Sequence, residues 1–233
     1  MRQLVINFFS FFNVLLLRFK SGKKNIAGSI LYEAKLKGLA ENNVTMINSK
    51  FESSILHFMG SDNTVELNGG YLGRVHITFE GTGNRLVLTP KAQIRDAIIT
   101  LRGQNCEITV GENTIIEGIR MVTAGKDNKI TIGADCLFSD FIEIWASDTH
   151  AIRDEKGEFI NPEKSVTIGN KVWVGSKVTI LKGVTINDGA IIGMASVVTK
   201  DVPANVISVG SPSKTIKENV TWSRDYPNVT LFD

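Results

Sequence analysis

Three histidines and two cysteines have the strongest claim to chemistry in this chain of 233 residues. His57, His76 and His150 are separated by 19 and 74 residues, which puts them on different parts of any repeating structure. A tetrahedral metal site needs three or four ligands converging on one point, so no metal is expected. Cys106 and Cys136 show no metal or redox spacing and read as small buried side chains. Such thiols suit a reducing compartment, and the cytoplasm is expected. General acid–base chemistry is what remains. His150 closes the stretch Ser147-Asp148-Thr149-His150, at the head of a polar run that ends near Pro162. An imidazole of ordinary pKa, about 6.5, can take a hydroxyl proton near neutral pH and hand it to a leaving group. Taken alone, a histidine is more often structural or solvated than catalytic. The elements around it therefore decide.

Those elements are repeats. From Ile168 an apolar residue recurs every six positions, at Val174, Ile180, Ile186, Ile192 and Val198. Four positions after these markers come Val172, Val178, Val184, Ala190 and Ser196, all small or β-branched. A period of six suits neither an amphipathic helix of period 3.6 nor a long open strand. It suits a short strand and a turn, three of which close one triangular coil. Coils then stack with parallel strands about 4.8 Å apart, and only the stack buries its interior.

A longer repeat extends the solenoid toward the N-terminus. Gly60-Ser-Asp-Asn63, Gly81-Thr-Gly-Asn84, Gly103-Gln-Asn105 and Gly125-Lys-Asp-Asn128 each precede a short apolar alternation. Their glycines lie 21, 22 and 22 residues apart, one coil with added corner residues. The residues from about 43 to 212 read as one solenoid, with 20 to 42 open between helix and an irregular first coil. Between Ile144 and Val166 the rhythm stops, so residues of about 148–164 are expected as an exposed loop. His150 stands at its entry.

Hydrophobic residues make up 42% and charged residues 21%, which suits one globular domain, and a net charge of +2 gives no footprint for nucleic acid. Leu4 to Leu17 is nearly all apolar, with Asn7, Ser10 and Asn13 as a polar stripe and Arg18, Lys20, Lys23 and Lys24 following. Fourteen residues are too few to span a bilayer. A short amphipathic helix is expected over 1–24, either packing on the protein's own core or touching the inner face of a membrane. No signal peptide is expected, because no clean cleavage site follows.

The run Val166-Thr-Ile-Gly-Asn-Lys-Val-Trp173-Val-Gly-Ser176 through Gly210-Ser-Pro-Ser-Lys214-Thr-Ile-Lys217 resembles the hexapeptide-repeat acetyltransferases. It is most similar to the branch of galactoside, maltose and nodulation-factor enzymes. The Gly-x-x-Asn repeats and Ser147-Asp-Thr-His150 resemble the capsule and surface-polysaccharide O-acetyltransferases. This resemblance implies an all-β, left-handed parallel β-helix over 25–213, with a C-terminal tail at 214–233. It also implies a homotrimer whose active sites lie between subunits, with the loop reaching a neighbour. Acetyl-CoA is the implied donor and a sugar hydroxyl of a bacterial surface polysaccharide, or its precursor, the implied acceptor. N-acetylation of an amino sugar is the alternative.

By the same resemblance His150 is the catalytic base, its imidazole oriented by Asp148, Glu143 or a backbone carbonyl. Ser176, Met194, Ala195 and Thr199 match coenzyme contacts along the solenoid wall. Trp173 walls the pantetheine tunnel, stacks on a sugar or packs on a neighbouring subunit. Lys214 and Lys217 match cations that meet the coenzyme's 3′-phosphate, with Lys200 a further cation. Thr149 stands where the family more often has Gly, and Met194-Ala195 where it has a small pair. Zinc-dependent carbonic anhydrases share such coils, but they need three convergent imidazoles. A solenoid that only binds a partner would lack the His150 loop and the lysine pair.

Overall fold

The computed structural model describes residues 4–6 and 23–225. Among them the chain is a parallel β-solenoid, all β, whose coils have three faces. The first face is an eight-stranded sheet running from Lys24–Ala27 to Thr185–Ile186. The other two faces alternate along the chain and join in a 17-stranded sheet, the second face including Leu137–Phe138 and Trp173–Val174 and the third Ile142–Trp145 and Thr179–Leu181.

Alternation within each strand sends every second side chain inward. The register then stacks like on like: Val44, Val65, Leu86, Ile108, Ile130 and Val166 form one column on the first face. All six are at most 1% exposed. The markers Ile168, Val174, Ile180, Ile186, Ile192 and Val198 are buried likewise, as are Val172, Val178, Val184, Ala190 and Ser196. The solenoid starts earlier than residue 43, because Lys24–Ala27 already pairs in parallel with Asn43–Ile47.

One corner explains the Gly-x-x-Asn repeat. Asn63 Oδ1 accepts the N–H of Asn84 at 3.0 Å, and Asn42 Oδ1 accepts that of Asn63 at 2.9 Å. The Asn63 and Asn84 amides donate onward to the carbonyls of Gly81 and Gly103 in the next coil. These asparagines are buried, and their ladder supplies partners to backbone groups that a turn would leave unpaired. The glycines stack as tightly. A Cβ on Gly103 would lie 2.0 Å from the Gly125 carbonyl oxygen, at φ +117°. Asn105 does not belong to this ladder, contrary to the sequence reading. The Gly-to-ladder offset is three residues, so Cys106 holds the position and its N–H donates to Asn84 Oδ1 at 2.9 Å. Asn105 instead takes the left-handed corner at φ +55° and bonds outward to Asp127.

Successive register partners measure coil length. Leu86, Ile108 and Ile130 are 22 residues apart, Ile130 to Val166 is 36, and Ile168 to Ile186 is 18. The interrupted coil thus carries 14 extra residues (36 less 22); the next register step is a hexapeptide triplet of 18, and the last shortens to 16. At each end of the stack one strand is paired antiparallel. Leu4–Ile6 is extended and pairs antiparallel with residues 34–36. A helix at those three residues is therefore corrected to a strand, which satisfies an open edge as a helix cannot. Lys24 likewise begins a strand. Lys23 is in neither helix nor strand, and residues 1–3 and 7–22 of the expected helix lie outside the described residues. At the other end Ser213–Lys217 folds back antiparallel on Ile207–Gly210. Trp222 is 8% exposed and donates its indole N–H to the Lys171 carbonyl at 2.7 Å.

Burial pushes the Cys136 thiol up to about 11, and the Cys106 thiol also upward. Asn84→Ala would strand the N–H of Cys106 and should cost about 1–3 kcal/mol. We expect a lower denaturant midpoint for it, with both thiols unreactive to a disulfide reagent until that unfolding transition. Reactive thiols in the native protein would contradict the burial.

Candidate active site

The inserted coil delivers His150. Ile144 and Ala146 point inward with no exposure, and Ser147 is buried at the exit from the third face. The Ser147 hydroxyl accepts the N–H of Thr149 at 2.9 Å, which closes a tight turn. Thr149 then sits at φ +62°, a conformation costly for a β-branched residue and easy for glycine. Such a turn persists only if its surroundings hold it.

They do, through a polar clasp. Asn161, from the returning limb of the loop, donates its amide to the His150 carbonyl at 2.9 Å and to Asp148 Oδ2 at 2.8 Å. Its own Oδ1 accepts the N–H of Ile152 at 2.6 Å. Lys182, on the next coil, reaches Asp148 Oδ2 at 2.5 Å and the Asn161 carbonyl at 2.9 Å. Its side chain is only 18% exposed, so its charge is held close to these acceptors. The Lys182 ammonium, with the Asn161 amide, holds the Asp148 carboxyl below the usual carboxylate range. Both limbs and the backbone of His150 are thereby tied to the solenoid wall.

The imidazole is exposed and makes no hydrogen bond among the described residues. Asp148 is turned to Lys182, and Glu143 accepts the indole N–H of Trp145 at 3.0 Å, so neither carboxylate orients the ring here. Beyond His150 the arm is a small hairpin, with Arg153 bridged to Phe159 and Asp154 capping the N–H groups of Lys156 and Glu158. Ile152, Phe159 and Ile160 are exposed on it.

The other expected site residues cluster elsewhere. Trp173 faces outward on the second face, 40% exposed, its ring 6.0 Å from that of Trp222. Ser176, Met194 and Ala195 share the corner between second and third faces, where the Ala195 N–H donates to the Ser176 carbonyl at 2.9 Å. Lys214 and Lys217 are exposed on the terminal hairpin strand. Thr199 and Lys200 are exposed just past the third-face strand Val197–Val198, at the same corner as His150. The structure thus gathers Trp173, Ser176, Met194 and Ala195 on adjoining coils, and it leaves His150 at the opposite end of the third face. Residues 177 to 182 cross that face, about 16 Å at strand rise. Nothing in the sequence singles out Lys182 or Asn161. The Asn161-Pro162 pair signals only a turn closing the loop, and Lys182 shares its repeat with Lys171 and Lys177.

Comparison with known proteins is consistent with this geometry. Residues 165–200 match the family model of the bacterial transferase hexapeptide (six repeats). The polysialic acid O-acetyltransferase of Neisseria meningitidis is 32% identical over 198 residues, covering 75% of this chain and 92% of that protein. That of Escherichia coli O1:K1 / APEC is 35% identical over 134 residues, covering 57% of this chain but only 43% of that protein. The crystal structure of the polySia-specific acetyltransferase NeuO superposes with a TM-score of 0.69 at 30% identity, covering 91% of each chain.

Loosening the clasp should misplace His150 without unfolding the solenoid. For Lys182→Met and Asp148→Asn we expect kcat to fall about 10- to 100-fold, as a displacement of order 1 Å does, with the donor KM within about twofold. A carboxyl held low contributes its stabilisation above its ordinary value of about 3.9, and loses it as the pH falls through the lowered one. Neutral pH therefore leaves the clasp intact, and an acid-side loss of arm protection in hydrogen exchange should vanish in Asp148→Asn. Unchanged kcat in both variants would show that the clasp does not position His150.

Proposed function

The chain belongs to the hexapeptide-repeat acetyltransferases, and on that premise we propose that it transfers acetyl from acetyl-CoA to a hydroxyl of polysialic acid or a closely similar capsule polysaccharide. The observation that carries this reading is 32% identity across 92% of the Neisseria polysialic acid O-acetyltransferase, together with a solvent-open imidazole on a braced arm.

In the proposed reaction His150 removes the proton of the acceptor hydroxyl as its oxygen bonds the thioester carbonyl carbon. The carbon–sulfur bond then breaks, and the imidazolium returns the proton to the departing thiolate. The products are an acetyl ester and free coenzyme A. No acyl-enzyme is required, and backbone amides at the coil corners would stabilise the oxyanion. Trp173, Ser176, Met194, Ala195 and Thr199 line the donor's path, and Lys214 and Lys217 meet its 3′-phosphate. The separation of His150 from the Ser176 corner supports a site completed between copies in a homotrimer, with Ile152, Phe159 and Ile160 of the arm packing on a neighbour. Acetyl-CoA is a cytoplasmic metabolite, which supports a cytoplasmic reaction.

The test is transfer of labelled acetyl from acetyl-CoA to polysialic acid. His150→Ala should lower turnover about 10²- to 10⁴-fold, the usual worth of a general base. Equal turnover by both proteins would remove the mechanism. Lys214→Ala combined with Lys217→Ala should raise the acetyl-CoA KM about 10-fold. An acetyl donor lacking the 3′-phosphate should be used equally by wild type and variant; a difference there would deny the phosphate contact.

A further inference from the structure

Four arginines on the strands of the solenoid share one habit: each takes a carboxylate about one coil away. Arg74 pairs with Asp96, Arg85 with Glu66 and Glu107, Arg95 with Glu117, and Arg102 with Glu80. Arg120 breaks the habit. Its register neighbours are Ile98 before it and Glu143 after it. Glu143, the one carboxylate there, is turned to the Trp145 indole N–H at 3.0 Å. The Arg120 guanidinium carbon instead lies over the Trp145 ring, 5.1 Å from its centroid. Among the described residues no carboxylate or carbonyl accepts its N–H groups. Arg120 is exposed, so its donor fork opens to solvent.

The position gives that fork a purpose. Trp145 is the last outward residue of the third face before the buried turn that carries His150. Leu181, 37% exposed, pairs with Trp145 on one side, and Ile98, 51% exposed, pairs with Arg120 on the other. The indole, with Leu181 as its register neighbour, offers apolar surface to the C–H face of a sugar ring. A planar guanidinium matches a carboxylate through two parallel hydrogen bonds. Glu143 accepts the indole N–H and leaves the guanidinium without a carboxylate partner among the described residues.

We propose that Arg120 and Trp145 form the acceptor subsite for an acidic sugar, the guanidinium binding its carboxylate and the indole its ring, beside the His150 arm. The role given to this subsite rests on the acetyl-transfer reading, but its ligand chemistry does not. The test is therefore binding first. Two probes are compared on the full chain: α2,8-linked sialic acid oligomers, and the same oligomers with every carboxyl reduced to an alcohol. Wild type should bind the carboxylated oligomer at least 10-fold more tightly. Arg120→Gln should erase that preference by weakening only the carboxylated probe, and Arg120→Lys should restore part of it. Trp145→Leu should weaken both probes about equally. A preference that survives Arg120→Gln, or a wild type with no preference, overturns the proposal. Transfer of labelled acetyl is measured alongside on both probes. Transfer with no carboxylate preference sinks the subsite alone, and preference without any transfer sinks the acetyl-transfer reading on this acceptor alone.

Discussion

Everything in this molecule depends on the hydrogen bonds that run from each coil to the next. A parallel strand pair repeats its bonds evenly, so the neighbour of any residue is set by one register. That constraint turns a sequence period into vertical columns. Inside, the columns must be apolar and similar in size, as Val44 to Val166 are on the first face. At one corner the column is asparagine, because a turn there would leave N–H and carbonyl groups unpaired away from water. The neighbouring column is glycine because a methyl group would collide with the backbone of the coil beyond. Cys106 in place of an asparagine shows what the position requires of its main chain. Its N–H still meets Asn84, whatever side chain it carries.

The same rigidity makes an insertion useful. Fourteen extra residues leave the stack at one corner, and the coil on either side stays in register. An arm rooted in this way has fixed endpoints, but its own backbone must still be held. Thr149 in a left-handed conformation would not hold by itself. The clasp of Asp148, Asn161 and Lys182 supplies the restraint, and it does so with ionic and amide bonds at a half-sheltered spot where they outweigh exposed surface pairs. The arm holds the backbone of His150 while leaving the imidazole open.

The outer surface obeys the register as well. Ion pairs there link coils, one arginine to the acid above or below it, each a small contribution in water. Against that regular background an arginine set over a tryptophan and lacking an acid is informative. The coil-to-coil pairing makes departures from pattern visible, on the outside as much as in the core.

The hexapeptide spacing from Ile168 to Val198 and the Gly-x-x-Asn blocks already contained the three-sided stack, since a period of six admits few backbones. The break after Ile144 already contained the loop, and His150 was legible at its mouth. Other features were not legible, for physical reasons. Asn105 and Cys106 are neighbours in sequence, and only the register decides which of them faces the ladder. Lys182 lies 34 residues from Asp148, and the two meet because one coil stacks on the next. Arg120 and Trp145 are joined in the same way, 25 residues apart. Local chemistry and period belong to the linear chain. Contacts between coils, and therefore the clasp and the guanidinium over the indole, belong to the folded one.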